Sequence, residues 1–149
     1  MGAAVPAYTI RAATVDDAAE LARLFVELGH PAAVDELVAR WPAFTAAGNA
    51  ALVAAAAEGL VGLATLHRMH VLHRPRPVGR ITALVVDARF RGAGVGTALV
   101  AAAERQLAAA GCGLVEVTSN LTRGAAHAFY ERLGYARTSY RFARPPGGP

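Results

Sequence analysis

"VVDARFRGAGVGTAL", Val85 to Leu99, joins an extended apolar run to a helical one and places Arg91, Gly92, Gly94 and Gly96 at the junction. Each glycine disfavours a helix by about 1 kcal/mol relative to alanine, so a cluster of them marks a backbone that something must approach closely. Ahead of the junction, Arg80 to Asp87 contains "ITALVV", a continuous β-rich run of the sort found in strands buried on both faces. Behind it, Val95, Leu99, Ala103 and Leu107 form one stripe of a helix from Val95 to Ala110, with Glu104, Arg105 and Gln106 opposite. The first turn of such a helix has free backbone N–H groups and about half a positive charge, which suits phosphate. Without Cβ atoms the loop amides converge on one anion, and Arg91 adds a charged donor at the entrance. The stretch therefore points to a phosphate or pyrophosphate ligand.

Three further readings of these glycines compete with that one. A nucleoside triphosphate is disfavoured, because no Gly-Lys-Ser or Gly-Lys-Thr follows to hold the γ-phosphate and magnesium. A dinucleotide site gains from Gly92 and Gly94 after a strand and from Glu116 further on. It loses because Thr97 stands where a third glycine belongs, Glu116 falls inside its strand, and the preceding strand is the fourth. A tight structural turn explains one or two glycines and leaves Arg91 unexplained.

Outward from the junction, the chain reads as alternating strands and helices. Tyr8 to Ala13 is a first strand, and Thr14 with Asp17 forms a capping-box pattern before a helix carrying Ala18, Leu21, Leu24, Phe25 and Leu28. Gly29 and Pro31 stop it, and Val34, Leu37, Val38 and Trp41 repeat the pattern in a shorter helix that Pro42 should end. The two would cover one sheet face. Ala50 to Ala57 and Leu60 to Leu72 read as a hairpin about Glu58-Gly59, followed by a proline loop over 73–79. After the glycine helix, Gly113 to Asn120 is a strand. Thr122 caps a helix carrying Ala126, Phe129, Tyr130 and Leu133, and Tyr135 to Phe142 closes as a final strand. Residues 144–149 read as a disordered tail of proline and glycine, and no internal repeat is present.

Bulk properties bound the rest. The 149 residues suit a single domain, 1–149. The longest apolar run, Ala50 to Ala57, is far short of the roughly 20 residues that span a bilayer. "MGAAVPAYTIR" lacks a basic-then-apolar signal and departs from the myristoylation pattern at its sixth residue, so the expectation is a cytoplasmic protein without a membrane partner. Cys112, the only cysteine, permits no internal disulfide or cysteine-based zinc site and reads as a small packing residue. His67, His70 and His73 read as scattered histidines, since His70 points opposite to the other two on a strand, and no metal is expected. A net charge of +4, spread over arginines such as Arg11, Arg23 and Arg40, argues against nucleic acid.

Taken together, these residues resemble the GNAT family of N-acetyltransferases. The family's acetyl-CoA motif, Arg or Gln, x, x, Gly, x, Gly or Ala, is matched by Arg91, Gly94 and Gly96 after "ITALVV". "RGAAHAFYERLGY", Arg123 to Tyr135, resembles its Ala-x-x-Phe-Tyr-x-x-x-Gly-Tyr/Phe segment at the expected distance downstream. The resemblance extends over nearly the whole chain. It implies an α/β acyl-CoA N-acyltransferase fold, with a mixed, twisted sheet of six or seven strands and four helices.

It also implies roles. The CoA pyrophosphate would rest on the amides of Arg91, Gly92, Ala93, Gly94, Val95, Gly96 and Thr97. The pantetheine arm would pass Leu84 and Val86 where two strands splay apart, with Asn120 either a further contact or the maker of a strand-end turn. Acetyl transfer from acetyl-CoA to a primary amine of a small molecule or peptide needs a neutral amine, a stabilised oxyanion and a proton for the leaving thiolate. Tyr130 matches the family tyrosine that supplies that proton; a core tyrosine is its bland alternative. Many members carry a base glutamate early on the fourth strand where this chain has Thr82, which leaves a water chain, an amine that binds neutral, or Glu116. His127 would line the outer surface. A homodimer is open, and the alternatives are a non-catalytic acyl-CoA-binding module and a nucleotide-dependent oxidoreductase.

Overall fold

The computed structural model describes residues 4–148, so the reading of the first three residues and of Pro149 lies outside it. Two compact units are present, one ending at Val117 and one beginning at Thr118. The first holds a five-stranded sheet in the order β1-β2-β3-β4-β5, made of Tyr8–Ala12, Asn49–Ala56, Gly59–Met69, Val78–Val86 and Leu114–Val117. Pairing is antiparallel from β1 through β4, and β5 lies parallel to β4, as the helical crossover between them demands.

Strand alternation assigns the two faces. Leu63 of β3 joins Val53, Val85, Leu21 and Leu24 in one buried cluster, with Leu37, Trp41 and Phe44 packed against it. Its neighbour Gly62 faces the other way, where a Cβ would press on Leu99 and Val95. Helices α1 (Ala18–Leu28) and α2 (Val34–Ala46) therefore cover one face, and α3 (Val95–Ala109) covers the other. The predicted stripe of α3 holds, since Val95, Leu99, Ala103 and Leu107 are all buried. The alanines of β2 suit this position, because Ala51 and Ala54 are buried in the middle of the sheet.

Four expectations are corrected. Pro42 does not end α2, which continues to Ala46. Phe44 packs on the core and stacks against Trp41 at 5.6 Å, burial that offsets the backbone bond the proline removes. Asp17 does accept from the Thr14 N–H at 2.8 Å, but the first turn it closes is a 3-10 turn and α1 begins at Ala18. The second unit holds α4 (Gly124–Arg132), and Tyr135 to Phe142 forms no strand there. Tyr140 and Phe142 are 82% and 92% exposed, so the alternation in this stretch has no apolar surface to set a register. Five strands among the described residues replace the expected six or seven.

Candidate functional site

The glycine junction is a turn built at the C-terminal end of β4. Gly92 and Gly94 have φ of 77° and 92°, a left-handed backbone that other residues adopt at a cost. Gly94 is the N-cap of α3, its carbonyl accepts the Ala98 N–H at 3.0 Å, and the amides of Val95, Gly96 and Thr97 make up the free first turn. Ideal Cβ atoms on Gly92 or Gly94 would meet nothing within 4 Å, so the requirement there is backbone conformation, and the surrounding space is open.

One carboxylate holds the turn. Asp87, 1% exposed, follows β4 and accepts from the Arg89 backbone N–H at 3.0 Å, from Arg89 Nε and Nη2 at 3.0 and 2.8 Å, and from Arg23 Nη1 at 2.7 Å. These bonds, Arg89's first, hold its carboxyl far below the usual carboxylate range against the opposing effect of burial. Arg23 reaches it from α1 while also bonding Glu20 at 2.8 Å and the Leu60 carbonyl at 2.6 Å. The Ala88 N–H and, more loosely, Arg91 meet Glu27 of the same helix. Sequence reasoning passed over Asp87, although a lone acid closing a long apolar run was a signal available in it.

Along β4 the sheet forks. Pairing with β5 covers only Val78–Ile81 against Leu114–Val117, so among the described residues Thr82–Val86 has no strand partner on that side. The Asp87 N–H bonds the Val61 carbonyl at 2.9 Å, so Val85 and Ala83, in alternate register, also turn their backbone groups to β3. Leu84 and Val86 consequently turn theirs to the open edge, and Arg91 Nε already takes the Val86 carbonyl at 3.2 Å. The expected pantetheine contacts thus turn their backbone groups to the side of β4 away from β3, the Val86 carbonyl already holding Arg91.

The floor of the fork is polar. Thr82 is the extra residue of a bulge, and its hydroxyl meets that of Thr65 at 2.7 Å. Arg80, paired in register with His67 and Glu116, bonds Glu116 Oε1 through Nε at 2.8 Å and Nη2 at 2.5 Å. His67 Nδ1 is buried without a hydrogen-bond partner. His70 and His73 lie beyond β3, and among the described residues no cluster suits a metal.

In the second unit, burial raises the Tyr130 phenol above its ordinary value while Arg123 works against it, so the proton-bearing form prevails at neutral pH. Its ring meets Phe129 and Tyr135 edge-on at 5.2 and 5.9 Å. Asn120 makes the strand-end turn, its Oδ1 accepting from the N–H and hydroxyl of Thr122 at 3.0 and 2.8 Å. Thr122 is thereby occupied, and Arg123 is the N-cap of α4 in its place. The His127 ring bonds the Asn120 carbonyl at 2.8 Å, tying the helix start to this turn. Cys112 is a partly buried free thiol, and no described helix is long and apolar enough to cross a membrane.

Comparison with known proteins agrees with this fold. The family model "Acetyltransferase (GNAT) family" matches residues 15–135. An aminoglycoside N(6')-acetyltransferase type 1 of Stenotrophomonas maltophilia is 35% identical over 134 residues, covering 87% of each chain. An aminoalkylphosphonate N-acetyltransferase of Salmonella typhimurium LT2 is 39% identical over 85 residues, 57% of this chain and only 55% of that protein's length. Among solved structures, a Trypanosoma brucei acetyltransferase superposes with a TM-score of 0.83 at 26% identity, covering 93% of this chain and 99% of that one.

Proposed function

Since the chain belongs to the acetyltransferase (GNAT) family, we propose that it moves acetyl from acetyl-CoA to a primary amine of a small molecule or peptide by direct attack. The observation that carries this reading is the fork, where a free edge over Thr82–Val86 leads to a left-handed glycine turn and a helix N-terminus. Backbone N–H groups at the turn suit a pyrophosphate, and the alternating groups of Leu84 and Val86 suit the amides of a pantetheine. The chain's donor set therefore fits the cofactor, with Arg91 to Thr97 and the edge of β4 holding it. When bound, acetyl-CoA supplies a thioester-activated acyl carbon.

The chain's own residues carry the remaining tasks. Arg91, braced on the Val86 carbonyl, contributes positive charge beside the turn. Tyr130, kept protonated by burial, gives its hydroxyl proton to the departing sulfur. Acceptors of the kinds named for the two curated relatives, aminoalkylphosphonates and aminoglycosides, head the candidate substrates. A single domain acting in the cytoplasm, alone or as a homodimer, completes the proposal.

The test is thermal melting with acetyl-CoA and with NAD, followed by a thiol-release screen over aminoalkylphosphonates, aminoglycosides, polyamines and peptide N-termini. At about 100-fold above its dissociation constant acetyl-CoA stabilises by roughly 2.7 kcal/mol and raises melting by several degrees. A shift with NAD alone would overturn the reading. A second reading, an acyl-CoA-binding module, is favoured by one observation: Thr82 is tied to Thr65 and has no basic group. Tyr130→Phe separates the two, since it keeps the ring and removes the proton donor. Transfer to the best acceptor falls about 10²- to 10⁴-fold in an enzyme, with acetyl-CoA affinity unchanged.

A further inference from the structure

We infer that the acceptor is a primary amine on a short chain that ends in an anion, a phosphonate, phosphate or carboxylate, and that Arg80 receives this anion. The inference rests on the proposed acetyl transfer and narrows its acceptors to one class. A ligand held at the N-terminus of α3 and laid along β4 runs from Val86 to Thr82, about 13 Å at 3.3 Å per residue. Its reacting end arrives where β4 and β5 part. Arg80 stands two residues further along β4, roughly 7 Å away, a gap that a short alkyl chain and an arginine side chain cover together.

Arg80 and Glu116 share one face of the sheet, because Ile81 is buried on the opposite face with Gly79, which lies against Leu107 of α3. Arg80 meets its partner side-on. Its Nε and Nη2 both donate to Glu116 Oε1, while Nη1 makes no hydrogen bond among the described residues. The other edge of the guanidinium, Nη1–H with the second hydrogen of Nη2, is therefore a free pair of parallel donors. Such a pair grips a phosphonate or a carboxylate through two oxygens at once. The side chain is 37% exposed, so a ligand reaches it from solvent while Glu116 keeps its plane fixed.

The surrounding charge decides between an anionic and a cationic acceptor. On this face the rows below the fork are His67, Arg80 and Glu116, then Met69, Val78 and Leu114. Glu116 is their one carboxylate, and Arg80 already neutralises it. Val78 and Leu114 also line a hollow of about 140 Å³ with Arg74 and Arg76, and neither of these arginines has an ion-pair partner among the described residues. Three guanidiniums against one carboxylate leave the region positive even with His67 neutral. A polycationic amine is repelled there, whereas an amine with an anionic end is drawn in and oriented.

The test pairs calorimetry on the CoA-bound protein with thiol release from acetyl-CoA, using 2-aminoethylphosphonate, O-phosphoethanolamine and β-alanine against 3-aminopropanol and kanamycin. In the wild type, kcat/KM for the best anionic amine should exceed that for 3-aminopropanol by at least about 10²-fold, chiefly through KM. Arg80→Gln should bring that ratio to within about threefold of one and weaken 2-aminoethylphosphonate in calorimetry at least about tenfold, whereas any general damage to the site cancels in the ratio. If Arg80→Gln does not fold, Arg80→Lys keeps the charge without the paired donors and should cut the ratio about tenfold. A neutral or polycationic amine accepted as well as the anionic ones overturns this inference alone. So does a ratio that the Arg80 variants leave intact. A wild type that binds acetyl-CoA and releases thiol with none of these amines overturns the acetyl-transfer reading, and the calorimetric loss in Arg80→Gln then still decides the anion site. A wild type that binds no acetyl-CoA overturns both.

Discussion

At its C-terminal end β4 runs into Asp87, whose two oxygens collect four hydrogen bonds from Arg23 and Arg89; five residues earlier, at Thr82, the same strand simply parts from β5. One end satisfies every valence of a buried charge to fix a backbone. The other leaves backbone groups facing outward. The first geometry presents amides to a small anion at a set angle, and the second offers a strand edge to an extended chain. A site for a molecule with a phosphate head and an amide-bearing arm needs both, and β4 supplies them in sequence.

The contrast can be broken at its rigid end first. Asp87→Ala removes the acceptor of two guanidinium groups, and we expect a loss of about 3 kcal/mol, seen as a fall in melting temperature of roughly 10 °C. An unchanged melt would mean that the turn holds itself. Because the Asp87 carboxyl is depressed in the folded state, its contribution is fully present above the unfolded value near about 3.9 and is lost as pH falls below it. The gap between wild type and Asp87→Asn should therefore be level from about pH 5 to 8 and close in more acid solution. Denaturant titrations across that range would show it.

The open end is sharpened by hydrogen exchange. Acetyl-CoA should slow exchange at the amides of Leu84 and Val86 by at least about tenfold, while Ala83 and Val85, already turned to β3, change little. Uniform slowing of all four would mean a general tightening in place of an added strand-like partner. The smallest effect on stability belongs between the two ends. Arg91 is exposed, so Arg91→Ala should leave melting within about 0.5 kcal/mol of wild type while weakening acetyl-CoA about tenfold by calorimetry.

What could be read in advance follows from how local each requirement is. Gly92 and Gly94 were legible because a left-handed turn leaves its mark on residue type, and α3 because Val95, Leu99, Ala103 and Leu107 repeat with the helix. Leu84 and Val86 came from the family resemblance, and strand alternation turns their backbone groups away from β3. Asp87 was missed although Arg89 stands two residues on, because its other partner, Arg23, lies 64 residues away. Pro42 misled because the burial of Phe44 is a tertiary matter that outweighs a local rule. Tyr135 to Phe142 carries a strand's composition, but a strand also needs an edge and a face to cover, and neither is written in the stretch itself.

Glu20 stands behind the Asp87 cluster, accepting from Arg23 and from the Leu60 N–H at 2.9 Å. To do so it occupies the place where a Cβ on Gly59 would go. With φ of 143°, Gly59 would tolerate few replacements in a saturation library, and among descendants of this gene it would drift as little as a residue that touches substrate. A map of mutational intolerance would paint the tip of the β2–β3 hairpin as part of the active site, when its constraint comes from a backbone turn at φ 143° beside a carboxylate that steadies an arginine and the Leu60 N–H.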